Sequence, residues 1–173
     1  MKVVLLIPPK DFKDETVSMA KLLFEKWGIT PVIASYSNKE CTGSHGAVYM
    51  PELNATKLNA QDYDAIVLVD GEGVDSYKLY DFRPLTDLVK NFAVSNKIIA
   101  ALGNAIKIVS RANVIADRSI AAPDDEETRR LIRIYRGEES NNEVEFDGNI
   151  LTAKSADYTQ EFLDTLLAKL GAK

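Results

Sequence analysis

Three runs of the chain constrain its fold most: "KVVLLI" (2–7), "YDAIVLVDGEG" (63–73) up to its glycine turn, and "KIIAAL" (97–102). Each is apolar at successive positions and rich in branched side chains. A strand with one wet face alternates apolar with polar residues, so a run without alternation is buried on both faces. "TPVIAS" (30–35) is a fourth strand candidate. Between these runs lie amphipathic segments. Val17, Ala20, Leu23, Phe24 and Trp27 recur at helical spacing up to a stop at Gly28. Further helices are predicted from Arg83 to Ala93, over 104–111, and around "DDEETRRLIRIY" (124–135). Strands alternating with helices through right-handed crossovers predict an α/β fold, a mostly parallel sheet covered on both faces.

The remaining segments fit this plan. Residues 36–62, around "KECTGSHGAVYMP", are polar and turn-rich, and predict an excursion or a small hairpin. A short strand is expected near "RSIAA". "NEVEFDGNILTA" reads as two strands about an Asp147-Gly148 turn, and a last helix places Phe162, Leu163, Leu166, Leu167 and Leu170 on one face. With no repeat or linker, the 173 residues are expected to form one domain, 1–173.

Charge and composition narrow the partners. A net charge of −5, with basic residues scattered, offers no footprint for nucleic acid or an anionic membrane. No apolar run approaches the roughly 20 residues of a membrane span, and the N-terminus is too short for a signal peptide, so a cytoplasmic location is expected. A single cysteine, Cys41, leaves no intrachain disulfide, and a single histidine, His45, leaves little for a zinc site. A small molecule or a protein is the expected partner.

In parallel α/β sheets, ligands bind outside the carboxyl ends of the strands. Four segments leave those ends: Pro8–Glu15, Val69–Gly73, Leu102–Asn104 and the stretch near Ala121–Asp124. Gly71 and Gly73 permit positive φ and close backbone approach, yet "VDGEG" matches neither a phosphate loop nor a dinucleotide fingerprint, and Asp70 and Glu72 disfavour an anion. At "KIIAALGNAIKIV" a strand breaks off at Gly103-Asn104 and enters a helix. No serine, threonine or cysteine stands there to attack a substrate, and Asn104 is expected to cap the helix. Cys41 and His45, four residues apart, form an alternative nucleophile and base. Glu15 is a pocket carboxylate or, with Asp11 and Asp14, part of an acidic first helical turn. "DDEETRR" (124–130) reads as a solvated helix start.

In this order, the motifs resemble those of the ThiJ/PfpI superfamily, which includes a parkinsonism-linked deglycase/chaperone and the "intracellular proteases". The resemblance runs from residue 2 to 170. It rests on "KVVLLI" before a helix with an acidic residue, on "GSHGAVYMPE", and on "YDAIVLVDGEG", where the family reads Asp-Ala-Leu-Val-Leu-Pro-Gly-Gly. It rests also on "KIIAALGNA", similar to an Ala-Ala-Ile-Cys-His-Gly elbow, and on "VEFDGNILTAKS", similar to a terminal hairpin. The resemblance implies a flavodoxin-like, class I glutamine amidotransferase-like three-layer sandwich, a homodimer, and no metal or organic cofactor. It also implies an elbow cysteine activated by a glutamate, with backbone N–H groups as an oxyanion hole.

Residue by residue, the chain departs from that pattern. Gly103 falls at the cysteine and Asn104 at the neighbouring histidine. Asp70 falls on the first glycine of the Gly-Gly pair and Gly71 on the second, while Ala122-Pro123 replaces a His-Pro. The glutamate maps to Glu15 or, one residue out of register, to Thr16. These departures predict a degenerate pocket of Glu15, Asp70, Gly71, Gly103 and Asn104 with a binding, structural or oligomeric role and no catalysis. The alternative is a hydrolase, glyoxalase or deglycase rebuilt on Cys41 with His45, or on Glu15 as general base to a bound water. Flavin or nucleotide binding is a weaker third class, since no phosphate loop is visible.

Overall fold

The computed structural model describes residues 1–172. In chain order the strands are β1 (Lys2–Leu6), β2 (Lys10–Phe12), β3 (Thr30–Ser35), β4 (Cys41–Gly43), β5 (Val48–Tyr49), β6 (Leu53–Asn54), β7 (Ala65–Leu68), β8 (Ile98–Leu102), β9 (Ser119–Ala121), β10 (Glu138–Ser140), β11 (Val144–Asp147) and β12 (Ile150–Ala153). The helices are α1 (Asp14–Lys26), α2 (Glu72–Ser76), α3 (Arg83–Val94), α4 (Ile106–Arg111), α5 (Glu126–Ile134) and α6 (Thr159–Lys169).

The continuous apolar runs become the centre of a seven-stranded sheet in the order β11-β12-β8-β7-β1-β3-β6. Every pairing in it is parallel except β11 with β12, the hairpin about Gly148. Successive residues of each run then serve two cores. Val3, Leu5 and Ile7 of the first run face α1 and α6, where Val17, Phe24, Phe162 and Leu166 are fully buried. Val4 and Leu6 face the other side, packed with Leu85, Val89 and Phe92 of α3 and Ile106 and Val109 of α4. The predicted double burial is thus realised residue by residue.

Two small sheets complete the fold. β2, β4 and β5 form a three-stranded sheet, and β9 pairs with β10 in parallel. The expected hairpin in 36–62 is β4–β5, joined antiparallel. The helix expected over 104–111 opens differently: Gly103–Ala105 forms a single 3₁₀ turn and α4 follows it. Asn104 therefore sits inside that turn, and its side chain caps nothing. No helix among the described residues is long and apolar enough to cross a membrane.

Candidate functional site at the strand-to-helix elbow

Gly103 holds φ +53°, the left-handed region that glycine enters without strain. Beside it Asp70, at the carboxyl end of β7, is only 6% exposed. Its Oδ1 accepts from the Gly71 N–H at 2.7 Å and from the Asn104 N–H at 2.9 Å. Its Oδ2 lies over the Gly103 Cα, so a Cβ at position 103 would collide with the carboxylate. The Asp70 side chain thus fills the space that a side chain at the elbow would occupy, and it binds the amides of both turns. Burial pushes its carboxyl above the usual range; the two N–H donors and the charge of Lys13 pull it back only in part.

The backbone holds this arrangement from above. The Lys13 N–H donates to the Asp70 carbonyl at 2.8 Å, and Phe12 bridges to Gly71. Gly71, at φ +150°, has no room for a side chain, because a Cβ would run into the Asp11 carbonyl and the Phe12 backbone. Gly73 is packed as closely beneath the Lys10 carbonyl and Pro8. The two glycines of "VDGEG" are therefore spent on close contact with β2, the use of glycine that lets one backbone touch another.

The other candidates lie apart from the elbow. Glu15 is on the outer face of α1, and its Oε1 meets His45 Nδ1 at 2.9 Å with both side chains about two-thirds exposed (66% and 68%). Thr16, the alternative register, is fully buried against α6. There its hydroxyl lies 3.1 Å from that of Thr159, whose own proton goes to the Ala156 carbonyl, so Thr16 is the donor. Cys41 is buried on β4; its Sγ lies 3.7 Å from the Lys39 carbonyl and near Ser35 at the end of β3. Three strand spacings separate β3 from β8 in the sheet order, about 14 Å. Burial also pushes the Cys41 thiol up, which disfavours the thiolate. Cys41 and His45 share a hairpin, but His45 is engaged with Glu15. Glu72 is exposed and opens α2.

Two side chains near the site have tertiary roles that no motif marks. Asp14 is a loop anchor: it accepts from the His45 N–H at 3.0 Å and the Ala47 N–H at 2.8 Å. Burial works against its charge, but those donors win and its carboxyl is held low. Lys107 of α4 is only 3% exposed and donates to Asp75 at 2.7 Å, with Asp125 at 3.6 Å, Glu127 at 4.0 Å and the Tyr80 ring at 5.3 Å. A lysine on the buried face of "AIKIVS" was the available signal.

The DJ-1/PfpI family profile matches residues 1–169. An uncharacterized protein of Methanocaldococcus jannaschii is 34% identical over 165 residues, covering 93% of this chain and 78% of the relative. Among solved structures, a ThiJ/PfpI domain protein from Brachyspira murdochii superposes with a TM-score of 0.91 at 22% identity, over 99% of this chain and 97% of that one. Drosophila melanogaster DJ-1beta superposes at 0.82 with 18% identity, over 99% and 91%. The flavodoxin-like sandwich is common to them. By the match along nearly its whole length, the chain belongs to the DJ-1/PfpI family.

Proposed function

We propose that this chain is a DJ-1/PfpI family member whose elbow performs no covalent chemistry, and that it acts by binding or as a structural homo-oligomer. One observation carries this. The chain's own Asp70 carboxylate occupies the two N–H groups that would receive an oxyanion, above a glycine that brings no nucleophile. A negative oxygen already sits where negative charge would have to develop, so the donors are satisfied before any substrate arrives. Glu15 is engaged with His45 and Cys41 is buried on β4, which supports the reading that neither rebuilds the site. No cofactor enters this proposal, and the dimer follows from the family likeness.

The Glu15–His45 contact favours the alternative to a degree, since a carboxylate beside an imidazole is a base in outline. Steady-state assays with methylglyoxal and with an activated peptide ester decide between the two. The expected result is consumption indistinguishable from buffer. Saturable turnover overturns the proposal, and a loss of about 100-fold on Cys41→Ser or on Glu15→Gln names the group responsible. Sedimentation velocity checks the dimer; a monomer at micromolar concentration removes that part alone.

A further inference from the structure

A cleft of about 470 Å³ opens at the carboxyl ends of β1, β3 and β7, on the side of the sheet away from β8. Its walls are rings. Tyr36 follows β3 and meets Phe82 edge to face, centroids 4.7 Å apart and planes at 89°. Tyr77 and Phe82 both belong to the segment after β7 and remain 44% and 37% exposed, while Pro9 supplies a wall from the β1 side. Large apolar rings left open in a concave site of this size are the usual lining of a small-molecule pocket. A wider depression of about 640 Å³ along α6 is lined only by residues 157–168 of one segment and has no opposing wall.

The charge at the mouth selects the ligand. Lys10 and Lys39 line the cleft, and neither takes part in any ion pair among the described residues. Glu40 is the single acid of the lining, so the lining side chains carry one more formal positive charge than negative. Burial, with Asp87 nearby, keeps the Tyr36 phenol neutral. Lys10 is not a loose arm: it belongs to β2, whose backbone is clamped on Gly73. Two unpaired ammonium groups at the edge of an aromatic slot suit a flat ring carrying a carboxylate.

We propose that this cleft is a binding site for a small planar aromatic carboxylate, stacked between Tyr77, Phe82 and Pro9 with its anion at Lys10 and Lys39. The site is separate from the elbow, so it stands whether or not the elbow is inert.

The probe is 2-naphthoate, titrated calorimetrically into the full chain, with neutral 2-naphthalenemethanol as control and amide chemical shifts to locate the contact. Saturable binding is expected with a Kd of about 1 mM or tighter. It should weaken about fivefold in the Lys10→Gln/Lys39→Gln double variant and by a similar factor for the neutral control. Tyr77→Ala should weaken it further. All three residues are exposed, so the variants fold, which circular dichroism verifies. No saturation at a few millimolar, shifts outside the cleft, or equal binding of the alcohol and the acid each overturns the proposal. An unchanged affinity in both variants does so too.

Discussion

Asp70 is a carboxylate held by two amides in a place where water scarcely reaches. Truncation in Asp70→Ala strands the N–H groups of Gly71 and Asn104, and denaturant unfolding should register a loss of about 1–3 kcal/mol. Asp70→Asn keeps the accepting oxygen and removes the charge. Burial sets the folded pKa of Asp70 above its unfolded value, 3.8. The group's contribution to stability is therefore complete below that unfolded value and is lost as pH rises through the folded one. Asp70→Asn should accordingly melt higher than wild type at pH 7, with the two converging near pH 3–4; a gap that widens on acidification would refute this sign. Gly103→Cys places a side chain at φ +53° and against the carboxylate. It should cost about 1–3 kcal/mol, and Asp70→Gly in the same chain should recover part of that, a non-additivity that a double-mutant cycle measures.

Among the elements, α2, α4 and α5 are pinned at one point by Lys107 and its three carboxylates. Asp125 also caps α5, accepting from the Thr128 N–H at 3.1 Å and from its hydroxyl at 2.5 Å. Asp125→Ala should cost about 1–2 kcal/mol by the cap alone. Lys107→Met, which keeps the buried stem, should cost less than Lys107→Ala in the same unfolding experiment. Much of this scale was legible in the sequence. β1, β7 and β8 announced themselves because burial on both faces removes alternation, and α1 and α6 because one apolar stripe repeats. β2, β6 and β10 did not. Two or three residues hold no period, and they are strands only because a partner edge lies beside them. The site was half legible for a similar reason. The replacements at positions 70 and 103 can be read from the order of motifs, but that the Asp70 side chain folds over the Gly103 backbone depends on the close packing of β2 on Gly71, a tertiary fact. Glu15 and His45 were both singled out and then found paired with each other, on the outer face of α1.

At the scale of the whole molecule, the response to acid is set in part by two carboxylates whose pKa values are lowered and one whose value is raised. Asp14 and Asp125 are held below their usual range, Asp14 by backbone N–H groups that overcome its burial and Asp125 chiefly by the Thr128 hydroxyl. Their contributions are present above the unfolded value and lost as pH falls through the folded one. Asp70 opposes them, so the urea midpoint of Asp70→Asn should fall more steeply than that of wild type between pH 7 and pH 3. The same contact bears on how such a fold changes over generations. With Asp70 in place, a side chain at 103 has to displace the carboxylate; with the acceptor at 70 truncated and Gly103 kept, two inward amides lose their partner. The pair behaves as a latch: a side chain at 103 meets the Asp70 carboxylate, and loss of an accepting oxygen at 70 strands two amides, so the two positions are expected to change together.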